Sequence, residues 1–274
     1  MAIRMKSDPK WAAHNIVYIY ANSGKEREET LEFLDKCDKT YELGVRWVEA
    51  KVNPEMGEGT TYSLVTFETA GRNGEPFEQV LKKYGIANAA FPHCTRELKT
   101  RPINALAKDL FGSDYVTAIG IRADEVGRLS LSNPKFVYPM VEWWMTVADV
   151  RRFWNEHSFD LALKDYEGNC DMCWKKSLRK TLTLIKEDPS RADWWQQMED
   201  RYGMLRLDSR ADNTEGKPIV WGRKGKSVHE LRAMAKEPFI AATDPFLKMS
   251  DLSRDMDDEQ PCSCLNFRDS GDDE

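Results

Sequence analysis

The sequence predicts an α/β fold with a parallel sheet, a helical C-terminal part and a loose acidic tail. Three observations carry that prediction. Apolar, β-branched runs of strand length alternate with amphipathic stretches through the first half of the chain, the pattern of a parallel sheet with crossover helices. Later in the chain helical periodicity takes over. The last two dozen residues are dominated by Asp, Ser, Gly and Glu, a composition with too little apolar surface to order itself. At 274 residues the chain has room for one large domain with an appendage.

Taken in order, NIVYIYAN (15–22) is a buried strand, because it is continuously apolar and β-branched and stops at Asn22, Ser23 and Gly24. Residues 25–43 follow with helical spacing. Leu31, Phe33, Leu34 and Cys37 form the apolar side, and acidic residues crowd the first turns, where the helix dipole favours them. VRWVEAKV (45–52) is the next strand, FEQVLKKYG (77–85) a helix closed by Gly85, and YVTAIGIRA (115–123) a further buried strand leading into a polar loop. TVADVRRFWNEH (146–157) is a helix with Thr146 as N-cap, CWKKSLRKTLTLIKED (173–188) a second and DWWQQMEDRYG (193–203) a third. From about Lys217 to Ser250 the pattern weakens. No internal repeat is present. The pairs Trp143–Trp144 and Trp194–Trp195 fit helix packing better than base stacking.

The net charge of −6 is unevenly placed. Residues 251–274 hold nine acidic and two basic side chains, which leaves 38 basic and 37 acidic residues before them. A near-neutral body with local basic clusters suits a small phosphorylated ligand better than duplex DNA. No apolar run approaches the ~20 residues of a membrane helix, and MAIRMKSDPKW lacks the apolar centre of a secretory signal. A soluble, cytoplasmic protein is expected, in a compartment where cysteines serve metals or redox chemistry.

There are six cysteines. Cys37 lies on or beside the apolar face of its helix and belongs to the core. In NCDMCWKKSLRK (169–180) the C-x-x-C spacing can place two thiolates on one metal, and Cys173 is predicted to open a helix whose amides stabilise negative sulfur. Zinc, an iron-sulfur cluster, a thioredoxin-like dithiol and two incidental helix-edge cysteines all remain open at this point. Lys175 and Lys176 are candidate anion ligands or a solvated helix face. FPHCTRELKTRPI (91–103) gathers Cys94, Arg96, Lys99 and Arg101 into one segment, which Pro102 is expected to end.

Taken together, HCTRELKTRPI (93–103), AIGIRADEVGR (118–128), YPMVEWWMTVADVRRFW (138–154) and GNCDMCWKKSL (168–178), in that order, resemble the phosphoadenylyl-sulfate (PAPS) and adenylyl-sulfate reductases and their relatives. IYANSGKEREETLEF (19–33) is similar to that family's second strand, turn and helix. The resemblance covers roughly residues 1–205, which leaves 206–274 as a C-terminal extension. It implies an adenine-nucleotide alpha-hydrolase-like fold, a doubly wound parallel sheet that binds ligand at the carboxyl ends of its strands. It places Tyr20, Asn22, Ser23 and Gly24 beside the adenosine of ATP or PAPS. Gly120, Arg122, Asp124, Glu125 and Arg128 fall near its phosphate or sulfate, with Arg122 and Glu125 as candidate catalytic groups and a surface ion pair as their alternative. Arg96, Lys99, Lys175 and Lys176 become anion-binding candidates.

Cys94, Cys170 and Cys173 carry over as three ligands of a [4Fe-4S] cluster, with zinc as the alternative metal. Cys262 or Cys264 is the first choice for the fourth ligand, ahead of His93 or a position left open to exogenous sulfur or substrate. In a competing role, Cys262 or Cys264 of PCSC is the nucleophile that attacks sulfate sulfur before a thiol reductant such as thioredoxin completes the cycle. The family's Glu-Cys-Gly-x-His-type tail motif is absent. Also absent is its opening strand with a Ser-Gly-Gly phosphate loop, so the start reads either as internal to a longer reading frame or as a damaged nucleotide site. Three functions follow from the resemblance: a sulfonucleotide reductase, an ATP-dependent relative that modifies nucleotide or nucleic acid, and a non-catalytic nucleotide-binding module with a structural metal.

Overall fold

Local chain chemistry begins the fold at Asp8. Its carboxylate accepts the Lys10 N–H and separates α1 (Ala2–Ser7) from α2 (Pro9–Ala12), with Pro9 in the first helical position, where no N–H is needed. Residues 1–168, 170–205 and 216–243 are described by a computed structural model of the chain. Cys262 and Cys264 lie outside them. Among the described residues no helix is long and apolar enough to cross a membrane.

A mixed α/β architecture results. β1 (Ile19–Asn22) runs parallel to β2 (Arg46–Val52), and α3 (Glu28–Tyr41) is the crossover between them. β3 (Thr60–Val65) pairs antiparallel with β2, so the sheet order is β1-β2-β3. The predicted all-parallel sheet is therefore mixed. Residues 60–65 give a weak sequence signal, because as an outer strand they bury little apolar surface. α4 (Glu75–Tyr84) ends at Gly85, as its sequence predicts.

Next, α5 (His93–Thr95), a π-helical turn at Arg96–Thr100 and α6 (Arg101–Phe111) follow without a break. Pro102 does not end this segment; it stands in the first turn of α6. The wider turn before it carries an Arg101 N–H to Arg96 C=O bond, which lets the helix continue past a residue with no N–H.

β4 (Thr117–Ala118) and β5 (Phe136–Val137) form a separate parallel pair, with a 3-10 turn at Ala123–Arg128 between them. The predicted strand over 115–123 is cut short because its amides turn elsewhere. The Arg122 N–H meets the Glu125 carboxylate and the Ala123 N–H meets the Met145 carbonyl. The strand predicted over 15–22 likewise shortens to 19–22. α7 (Pro139–Glu142) precedes α8 (Val147–Asn155), which Thr146 caps by accepting the Asp149 N–H.

The helix predicted over 173–188 begins only at Leu178. Ser177 caps this α9 (Leu178–Glu187), while the Cys173 and Lys176 N–H groups turn back to the Cys170 and Cys173 carbonyls. Cys173 thus lies in a turn and does not open the helix. α10 (Asp193–Tyr202) and α11 (Val228–Met234) complete the described helices named here.

The main core gathers Phe77, Leu81, Leu98, Met172, Trp174, Trp195, Trp221 and Leu231. Trp221, Val228 and Leu231 come from the region assigned to the C-terminal extension, yet they share this core with the α/β part. Glu199 of α10 joins them by accepting the Trp221 and Val228 N–H groups. Burial pushes its carboxyl up to about 7, from an ordinary 4.5.

Two outcomes are expected from this packing. A Cβ at Gly74, whose φ is +86, would stand 2.4 Å from the Trp194 ring. Gly74→Ala should therefore cost about 2–4 kcal/mol from left-handed strain and overpacking together, read as a drop in denaturant midpoint. Glu199 prefers its neutral form when folded, so its stabilising contribution is present below pH ~4.5 and is lost as pH rises through ~7. Wild type should lose roughly 3 kcal/mol relative to Glu199→Gln between those limits. A difference between the two proteins that does not change with pH would refute this.

Candidate functional site

The turn after β1 is built from groups that satisfy one another. Asn22 and Ser23 are fully buried. The Asn22 amide donates to Glu49 Oε1 (2.6 Å) and the Gly71 carbonyl (2.8 Å), and its oxygen accepts the Gly24 N–H (3.1 Å). Gly24 has φ +78, and a Cβ there would lie 2.9 Å from Pro76 Cδ, so glycine meets two requirements at once. Ser23 donates its N–H (2.9 Å) and its hydroxyl (2.7 Å) to Glu26 Oε2, and Glu26 Oε1 meets Lys99 Nζ at 3.2 Å.

The C-x-x-C loop is clasped to this turn. Glu26 forms an isolated antiparallel bridge with Cys170, and Ser23 Oγ lies 3.5 Å from Cys170 Sγ. The Lys25 carbonyl accepts the Asp171 N–H (2.9 Å), and Lys25 Nζ stands 3.1 Å from Asp171 Oδ2. Trp195 Nε1 donates to Asp171 Oδ1 (2.7 Å). Burial pushes the Asp171 carboxyl above its ordinary range, and Lys25 opposes that shift. Met172 and Trp174 point into the core, where Trp221 Nε1 donates to the Met172 carbonyl (2.6 Å).

Cys94 arrives from α5. The π-helical turn after it carries Lys99 to Glu26, and the Lys99 charge acts on Cys94 and Cys170 alike. Desolvation raises the Cys94 thiol, with the Trp174 indole, Lys175 and Lys99 opposing; it raises Cys170 much further, helped by Glu26 and by Cys173. Among the described residues, the Tyr20 hydroxyl and Glu26 Oε1 are buried without a well-formed hydrogen bond.

The structure thus brings together Tyr20, Asn22, Ser23, Gly24, Lys99, Cys94, Cys170 and Cys173. Other expected ligands are engaged elsewhere. Arg122 donates through Nε and Nη2 to Asp124 (3.0 Å each), and its Nη1 meets Glu125 at 3.2 Å. Hydrogen bonding to Arg122 holds Asp124 below the usual carboxylate range. Arg128 also pairs with Glu125. The ion-pair alternative describes this arrangement. Gly120 faces Met1 and Met140. Arg96 and Arg101 converge on the buried Glu97, and Lys176 donates to the Tyr166 and Gly168 carbonyls. Lys175 stands over the Trp174 ring at 5.4 Å. His93 is buried with its ring tilted against Tyr84.

Sequence reasoning missed Lys25, Glu26, Asp171 and Trp174. Two of them sit in an ordinary charged run, and nothing local distinguishes them. Asp171 and Trp174 did carry a signal, since an acid within a C-x-x-C and an aromatic just after it are natural anchors for the loop.

Among the described residues, no three His, Cys, Asp or Glu side chains stand close enough to hold one metal ion. Cys94 and Cys170 pack against the same core cluster, and Lys99 pairs with Glu26, which bridges to Cys170.

In comparison with known proteins, the chain is similar to the uncharacterized nin region protein ORF290 of Escherichia phage lambda, with 30% identity over 186 residues. The match takes in 65% of this chain and 62% of the phage protein, so the chain spans less than two thirds of that relative's length. No protein-family model matches, and no solved structure matches.

Because both thiols are raised, Cys94 and Cys170 of the metal-free folded protein should react with iodoacetamide at pH 8 at least tenfold more slowly than in the unfolded chain. Glu26→Gln should speed Cys170, since it removes a nearby negative charge. Equal rates in the folded and unfolded protein would contradict the electrostatic picture.

Proposed function

We propose that this chain is a PAPS-reductase-like protein with adenine-nucleotide alpha-hydrolase architecture. Its sheet is doubly wound in that reading, and it binds ATP or PAPS beside a [4Fe-4S] cluster held by Cys94, Cys170, Cys173 and a fourth ligand. One observation carries the reading: two distant cysteine segments pack against one core, and the second is clasped to the turn at the carboxyl end of β1, where Glu26 holds Lys99. Parallel sheets of this kind place their ligands at that end.

When bound, such a cluster supplies electron transfer or a site for handling sulfur. The chain's own residues prepare for it. Lys99 opposes the negative charge that three thiolates bring, and Glu26 holds Lys99 in place. Met172 and Trp174 fix the loop and keep water from its core side. Metal binding must displace thiol protons, so the raised thiols make loading depend on pH and favour it in alkaline solution.

The pairing of Arg122 with Asp124 and Glu125 favours a second reading. With that guanidinium already neutralised, the substrate is a nucleotide or nucleic acid that an ATP-dependent relative modifies, and the product is pyrophosphate. Reduction of a sulfonucleotide would instead release sulfite and need a thiol donor such as thioredoxin.

Iron and acid-labile sulfide after anaerobic purification test the shared core of both readings. About four of each per chain are expected, with loss of both in Cys173→Ala. Zinc, or no metal, would overturn the cluster.

A further inference from the structure

α7 ends in a left-handed turn. The Met145 N–H reaches the Met140 carbonyl and the Trp144 N–H the Val141 carbonyl, at 2.9 Å each, which leaves Trp144 at φ +54. Glycine is the usual occupant of that position, because a Cβ crowds the following carbonyl. Here an indole takes the place, and Trp144 is 81% exposed. Its neighbour shows the ordinary use of the residue: Trp143 donates its indole N–H to Asp8 (3.0 Å) and carries the Arg4 guanidinium over its ring (4.4 Å). Helix packing, expected for the pair, describes Trp143 alone.

The helix that follows is also uncovered. A short helix draws most of its stability from burying an apolar face. Val147, Val150 and Trp154 share one face of α8, yet none of its nine residues is buried. Phe33 and Phe159 cover part of that face through their edge and tilted contacts with Trp154. The turn at Ala123–Arg128 is stitched to the same place, since the Ala123 N–H meets the Met145 carbonyl (2.8 Å) and Asp124 accepts the Val147 N–H (3.1 Å). It adds the exposed Val126. Turn, Trp144 and α8 thus form one connected surface.

The charges on this surface select its occupant. Arg122, Arg128, Arg151 and Arg152 each pair with an acid. A polyanion draws its affinity from unneutralised cations and gains little there. A patch that carries both signs in balance is instead complementary to its own copy across a two-fold axis, where the arginines of one chain meet the acids of the other. Exposed Trp and Arg side chains are also the residues that concentrate at the centre of protein–protein contacts. We propose that this face, centred on Trp144, is a contact between two copies of the chain. The contact is independent of the cysteine centre and of any nucleotide.

Sedimentation velocity on wild type, Trp144→Gly and Leu64→Ser tests it, Leu64 being an exposed apolar residue of β3 in the other sheet. Wild type is expected to dimerise, with a dissociation constant that rises about thirtyfold in Trp144→Gly and stays the same in Leu64→Ser. Diluted to monomer, Trp144→Gly should melt no lower than wild type, because glycine suits the left-handed backbone at this position. Wild type that stays monomeric at ~100 μM would overturn the contact. So would a dimer that survives in Trp144→Gly, or one that Leu64→Ser weakens equally. A lower melting temperature for monomeric Trp144→Gly would make Trp144 a structural residue and overturn its role at the contact. Monomeric wild type whose fluorescence is quenched by single-stranded oligothymidylate, with the quenching lost in Trp144→Gly, would replace the second copy with a stacked base.

Discussion

Asp171 sits between two cysteine positions of a turn, and its largely covered carboxylate accepts the Trp195 indole N–H. A buried carboxylate is tolerable only when it is paired and hydrogen-bonded. Lys25 supplies both a cation and a carbonyl, Trp195 an indole N–H, and the Met172 amide a further donor. This one largely covered clasp joins the turn after β1 to the C-x-x-C loop. Without it, neither the Glu26–Cys170 bridge nor the approach of Ser23 to the Cys170 sulfur would have a fixed geometry. The residues around Asp171 divide the labour: Met172 and Trp174 bury into the core, and Cys170 remains at its edge.

Placement of Lys99 is the complementary constraint. Glu97 is completely buried and is held by the Thr60 hydroxyl and by the guanidinium groups of Arg96 and Arg101. Those bonds anchor the π-helical turn, and the turn delivers Lys99 to Glu26. π-Helical turns are rare and concentrate at functional sites. In this chain the turn lies between the Cys94 thiol and a helix that continues through Pro102. The basic residues of the segment therefore divide by role, with Arg96 and Arg101 on Glu97 and Lys99 on Glu26.

A second charged group, Arg122 with Asp124, Glu125 and Arg128, is tied to the start of α8 through the Asp124 bond to the Val147 N–H. Its charges are mutually compensated, so an anion arriving there must displace an internal carboxylate.

Much of the local structure was legible in the sequence. Helical periodicity and caps at Thr146 and Gly85 located α3, α4, α8 and α10, because those signals depend on a few neighbouring residues. The cysteine spacing likewise marked Cys94, Cys170 and Cys173 as worth following. Tertiary structure alone decided which amides leave a strand, as at Gly120–Ala123, and where a helix can start, as at Ser177 instead of Cys173. It alone placed β3 antiparallel on β2 and recruited Trp221 and Leu231 to the main core. It also separated Lys99 from Arg96 and Lys176, which look alike in sequence but differ in what they meet. The physical reason is common to all of these: hydrogen-bond partners, burial and charge compensation are supplied by residues far away in the chain, and no local pattern records them.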